Sequence, residues 1–202
     1  MTPTDAPDRA LRRAVLIAAI LNGAYFGVEF AVAVSIGSVS LLADSVDFLE
    51  DASINLLIFF AVAWAARTRA LVGRALAVLI LVPALATIWI AVAKILDPQP
   101  PEVGALSLAA AGALAINLYC AMLLVRHRHN AGSLPRAAWL SAHNDALANV
   151  AIIAAALVTL VWPSGWPDIV VGLGIGLLNA DAAREVWLAA RAEHPDAEGA
   201  EA

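Results

Sequence analysis

Long apolar runs alternate with short polar breaks along most of this chain. Six runs are long enough to cross a hydrocarbon core about 30 Å thick, which takes about 20 residues of helix. They cover residues 11–34, 41–65, 70–95, 103–125, 137–161 and 169–190. Because a helix pairs its backbone groups internally, the pattern predicts an all-α, polytopic membrane protein with six transmembrane helices. Four or five spans are the alternative.

The arginines fall at every second break. They occupy positions Arg9, Arg12, Arg13, Arg67, Arg69, Arg74, Arg126, Arg128, Arg136, Arg184 and Arg191. The other breaks hold no arginine or lysine, and only Lys94 comes near one of them. The positive-inside rule then places both the N- and C-termini in the cytoplasm. This alternation fits an even number of spans and so favours six over five.

The composition indicates that most of the chain is a membrane domain and that little of it forms soluble segments. Hydrophobic residues make up 62% of the chain and charged residues 14%, against about half and a quarter in soluble domains. We expect a cytoplasmic segment over residues 1–10, a membrane domain over 11–191 and a short acidic cytoplasmic tail over 192–202, without a soluble C-terminal domain. The tail supplies part of the net charge of −5, so that charge indicates no particular partner. No nucleic-acid partner is expected.

Four acidic residues interrupt the second apolar run, at Asp44, Asp47, Glu50 and Asp51. Ionised carboxylates inside a bilayer are costly and usually face a polar cavity. Asp47 and Asp51 lie one helical turn apart on one face, where two negative charges repel each other. A divalent cation or a shared proton relieves that repulsion. The pair therefore predicts a site that exchanges metal for protons, whereas a solvated helix end remains a fair reading of Asp44.

The fifth run supplies a third acid, Asp145, on one helical face with Ser141 and Asn149. Alanines flank this face, and small residues let membrane helices approach closely. We predict that Asp145 is a metal ligand with Asp47 and Asp51; hydrogen bonding between helices is the alternative.

The remaining polar residues of the apolar runs allow more than one interpretation. His143 lies nearly opposite Asp145 on the helical wheel and is expected to face elsewhere, while His127 and His129 are expected in a solvated basic loop. Asn22 and Glu29 share a face of the first helix. They could support the metal site, relay protons or only join helices by hydrogen bonds. Asp168 is expected to cap the N-terminus of the sixth helix.

The segment of residues 38–51 resembles the second-helix signature of the cation diffusion facilitators. It has a small-residue entry, the pair Ala43-Asp44, an acid three residues later at Asp47 and another four later at Asp51. Residues 145–150 resemble the fifth-helix counterpart. The resemblance implies export of a divalent transition metal, zinc first, in exchange for protons. It further implies a tetrahedral site between the second and fifth helices, and a homodimer.

Two departures from that family bear on the metal. Members carry His or Asp four residues before the fifth-helix acid, where this chain has Ser141. The fourth ligand is left open among water, Asn149 and His143, and manganese, iron, cobalt and cadmium stay open beside zinc. The expected absence of a cytoplasmic domain implies a dimer held by membrane helices.

The expected protein is a multi-pass transporter of the bacterial inner membrane, with no prosthetic group and no enzymatic activity. A membrane module that binds metal or assists assembly without transport is the alternative. An intramembrane aspartyl protease is disfavoured, because the acids of the second helix form an i, i+4 pair rather than a dyad from two helices.

Overall fold

The computed structural model describes the backbone of residues 5–61, 85–125 and 133–178, and side chains within 10–60, 85–125 and 144–178. Across these ranges the chain forms six helices and no strand. They are α1 (Asp5–Ile36), α2 (Val39–Ala61), α3 (Leu85–Leu96), α4 (Val103–Val125), α5 (Ser133–Val161) and α6 (Trp166–Leu178). The predicted all-α fold is confirmed. The predictions for residues 70–84, His127, His129, residues 179–190 and the acidic tail fall outside the described residues.

The observed helix bounds can be compared with the apolar runs that predicted them. α4 has the predicted limits, whereas α1 and α5 begin several residues before their apolar runs. Hydropathy marks only the apolar part of a helix, so it misses polar turns that extend a helix past the bilayer.

Three described helices are long and apolar enough to cross a membrane, over Ala10–Ile36, Val103–Val125 and Asn144–Val161. α2 has the same length as α4, 23 residues, but its four acids make it more polar than those three. Large side chains such as Ile20, Met122 and Leu157 are exposed on the outside of the helices. A water-soluble protein would rarely show so much apolar surface, whereas a membrane protein turns it to lipid.

α1 and α2 form a tight antiparallel pair. α1 ends at Ile36 and is followed by Gly37, whose φ of +64° is the left-handed conformation that glycine adopts without steric cost. The Ser38 amide then donates to the Ala33 carbonyl at 2.9 Å, which closes the turn. The chain thus reverses within two residues, and α2 packs back along α1.

α1, α2, α4 and α5 pack into a four-helix core. The most extensive contacts join α1 to α2 and α4 to α5, with further contacts between α1 and α4 and between α2 and α5. Small and branched residues fill the centre, including Ala33, Ala43, Ala110, Ile152 and Ala156. Because small side chains allow close helix approach, this core brings the acidic face of α2 up to α5.

Candidate metal centre

The acids of α2 lie deep in the fold rather than at a helix end. Asp51 lies about 18 Å along the helix axis from Val39, at 1.5 Å per residue, which is more than half of a hydrocarbon core. Asp47 and Asp51 are buried, with 8% and 4% of their surfaces exposed. A solvated helix end therefore does not describe these two residues.

One cavity of about 680 Å³ collects the predicted ligands. Asp47 and Asp51 line it from α2, and Asp145 lines it from α5. α6 provides an apolar wall that includes Val171 and Ile175. The cavity is thus acidic on the α2–α5 side and apolar opposite, an arrangement that strengthens the interaction of its carboxylates with any bound charge.

The three acids act on one another across the helix interface. Asp47 and Asp51 of α2 line the same cavity as Asp145 of α5, so negative charges on the three carboxylates repel one another. No set of three His, Cys, Asp or Glu side chains in the described part of the chain has the geometry to hold a metal ion. The structure therefore brings the predicted ligands to one cavity, and their role as ligands stays a prediction.

Asn22 of α1 connects Asp51 to α4. Its amide nitrogen donates to the Asp51 carboxylate at 3.4 Å, and its amide oxygen accepts from the Cys120 thiol at 3.7 Å. Asn22 is fully buried, and its short side chain restricts where Asp51 can point. Asn22 therefore forms a hydrogen bond between helices that also contacts a predicted ligand, and a role for Asn22 in a metal site stays a prediction.

Two cavity residues were missed as site members by the sequence interpretation. Glu50 and Asn144 also line the cavity, and each is adjacent in sequence to a predicted ligand. Asn149, considered as a fourth ligand, is not among the lining residues; its amide nitrogen donates to the Asp145 carbonyl oxygen at 2.9 Å and to Asp44 at 3.4 Å. The side chains of Ser141 and His143 fall outside the described set, so the fourth ligand remains open.

Asp168 of α6 caps α2 rather than its own helix, which corrects the sequence prediction. Its carboxylate accepts hydrogen bonds from the Ser38 hydroxyl at 2.7 Å, the Val39 amide at 2.8 Å, and the Ser40 hydroxyl and amide at 2.6 and 3.2 Å. An acid is well placed at a helix N-terminus because it satisfies free amides and the helix dipole favours negative charge there. The start of α2 is thus bound to α6.

Lys94 of α3 joins the same cluster. Its ammonium group pairs with Asp168 at 2.9 Å and donates to the Gly37 carbonyl oxygen at 2.6 Å. Both charged side chains are buried. A Cβ atom at Gly172 would lie only 2.8 Å from the Ser40 nitrogen, so α6 passes α2 in close backbone contact. This end cluster of Asp168, Lys94 and the α1–α2 turn sets the depth of the α2 acids against the α6 wall.

Comparison with known families agrees with this geometry. Residues 15–191 match the family model described as the cation efflux transmembrane domain. The match begins within α1, includes the other five described helices and covers most of the 202 residues. A search of curated proteins found no match to the chain.

Proposed function

The chain belongs to the cation efflux family, the cation diffusion facilitators, and from that membership we propose that it exports a divalent transition metal in exchange for protons. Members of this family transport metal cations and are not enzymes in the usual sense. In the proposal, Asp47, Asp51 and Asp145 bind the cation within the α2–α5 cavity, and zinc is the first candidate.

The observation that carries the proposal is the meeting of three carboxylates in one cavity, with Asp47 and Asp51 buried in its wall. When ionised together they hold a charge of −3, which a divalent cation largely offsets. Without a cation the three negative charges repel one another, and the apolar surroundings strengthen that repulsion. Binding of protons to the carboxylates then relieves the repulsion. A site of this kind therefore holds either a metal ion or protons, which is the requirement for exchange.

The choice of metal depends on the donor atoms. Carboxylate oxygens are harder ligands than imidazole or thiolate and discriminate less sharply in favour of zinc. Manganese, iron, cobalt and cadmium therefore belong in any test beside zinc. In keeping with the family resemblance, we further propose that the protein works as a homodimer, held by its membrane helices, in the bacterial inner membrane.

Vesicle transport tests the proposal directly. The full chain is reconstituted with a metal indicator and a pH indicator inside, and a panel of metals is added at two pH values. We expect metal flux with proton flux in the opposite direction, both abolished in Asp51→Asn. Asp97→Asn serves as the matched control, because Asp97 is an exposed acid in the turn after α3.

The outcomes are distinct. Transport by Asp51→Asn at the parent rate would refute the site assignment. Metal binding by the parent without any flux would favour the non-transporting module. Metal flux without proton movement would support metal transport and refute exchange for protons.

A further inference from the structure

A second buried acid pair lies outside the metal cavity. Glu29 of α1 and Asp44 of α2 are both fully buried, and neither lines the cavity. α1 and α2 run antiparallel in a register in which Asn22 contacts Asp51 and Tyr25 contacts Phe48, and the same register sets Glu29 against Asp44. Both oxygens of Glu29 and one oxygen of Asp44 lack a hydrogen-bond donor among the described residues.

Two ionised carboxylates in this position would be strongly disfavoured. Each would be a buried charge without sufficient donors, and each would repel the other. One proton resolves both problems, because a protonated carboxyl becomes a donor to its neighbour and removes one negative charge. The unbonded oxygens of the pair are therefore the atoms that a proton would occupy.

The surrounding contacts indicate which partner carries the proton. Asn149 donates to one oxygen of Asp44 at 3.4 Å, which favours an ionised Asp44. No described donor reaches Glu29, so Glu29 is the better site for the proton, donated toward the free oxygen of Asp44.

Among the residues whose side chains the structure describes, the groups around Glu29 offer no alternative donor. On its own helix, the Tyr25 hydroxyl already donates to the Ala109 carbonyl oxygen of α4 at 2.7 Å. From α2, Asp44 and Asp47 add only negative charge. From α5, the neutral Asn149 contacts Asp44, and Asp145 adds a further negative charge. In the described structure Lys94, the buried cation, is bound in the end cluster.

We propose that Glu29 and Asp44 form a proton-binding site, separate from the metal cavity, that exchanges one proton for each metal ion bound. The inference rests on the proposed function. The positive charge of a cation in the cavity favours ionisation of Glu29: its O–H bond breaks, the proton leaves to water, and the carboxylate stays behind. When the cation leaves, a proton returns to the Glu29 oxygen.

Asn149 links the two sites. Its amide nitrogen contacts both Asp44 and the main-chain oxygen of Asp145. Asn149 therefore lies between the acid pair and the turn of α5 that carries Asp145.

Proton counting tests the inference. Zinc is titrated calorimetrically into the purified full chain in buffers of different ionisation enthalpy, which gives the number of protons released per zinc bound. Glu29→Gln keeps the shape of the side chain but cannot ionise, so it should bind the same amount of zinc and release about one proton fewer. The control Asp97→Asn should release as many protons as the parent.

Infrared difference spectra provide a second measurement on the parent protein itself. Adding zinc should remove the carbonyl band of a protonated carboxyl, and isotope labelling of glutamate should shift that band. The band change should be missing in Glu29→Gln. A parent spectrum without loss of a protonated glutamate band would overturn the inference even if the variant failed to fold.

The inference and the proposed function fail in different ways. Equal proton counts in parent and Glu29→Gln, at equal zinc binding, would overturn the inference alone. A parent that binds no metal of the panel would overturn both.

Discussion

The end cluster predicts that loss of Asp168 costs more stability than loss of Lys94, although the two form one ion pair. Removing one partner of a buried pair costs about 3–5 kcal/mol, because the other charge is left uncompensated. Both side chains are almost fully buried, with 7% and 0% exposure, so solvent screening does not reduce this cost.

The difference arises from what each remaining partner retains. In Lys94→Met, Asp168 keeps its four hydrogen bonds from Ser38, Val39 and Ser40. We therefore expect a loss near the lower limit, about 3 kcal/mol. In Asp168→Ala, Lys94 keeps only the Gly37 carbonyl oxygen, and α2 also loses its cap. With about 1 kcal/mol for the cap, the loss should reach about 5–6 kcal/mol.

Equilibrium unfolding of the purified protein in detergent, followed by circular dichroism, measures these losses. The double variant Lys94→Met/Asp168→Ala should lose less than the sum of the single losses, because it leaves no unpaired charge. Asp97→Ala, an exposed acid nearby, should change little. Additive losses, or a larger loss in Lys94→Met than in Asp168→Ala, would refute the reasoning.

Three further predictions concern the helix contacts and the cavity. Gly172→Ala should lower the melting temperature, because the added Cβ would meet the α2 backbone. The control Gly176→Ala places its Cβ in open space and should leave the melting temperature unchanged. Equal melting temperatures for the two variants would contradict the close contact between α6 and α2. Asn22→Ala should weaken zinc binding about 10-fold, because it removes one of the contacts that orient Asp51. Calorimetry measures the affinity, and an unchanged affinity would refute this role of Asn22. Zinc affinity should fall as pH falls, since protons compete for the carboxylates; a pH-independent affinity would contradict exchange.

Local pattern was sufficient for the parts of the site that lie on one helix. The shared face of Asp47 and Asp51 follows from their spacing of four residues, and the structure places both in one cavity. Asp145 required a further assumption, that small residues bring α5 to α2. The described contacts between those helices agree with that assumption.

The cap of α2 could not be predicted in the same way. Capping signals in sequence concern a residue and its near neighbours, so Asp168 was assigned to the helix that it precedes. Its true partners, Ser38 to Ser40, lie about 130 residues earlier. Lys94 gave an indirect signal, because a lysine near a side of the membrane whose breaks hold no other basic residue needs an acid.

Glu29 shows a different limit. Its position on a helical face allowed three roles, and the pattern could not separate them. The distinction depends on whether its oxygens have donors, which is a property of the packed structure. The two oxygens without donors are what turn the open alternatives into a testable proton site.

The sharing of Asp168 across the fold has a consequence for assembly in the membrane. Helices enter the bilayer in chain order, so the α1–α2 turn and Lys94 are made before the carboxylate that binds them. Until α6 arrives, Lys94 and the first amides of α2 lack the carboxylate that binds them in the folded protein. Insertion of α6 therefore completes this end of the four-helix core, and a chain that has inserted only α1 to α5 keeps a lysine without its ion-pair partner.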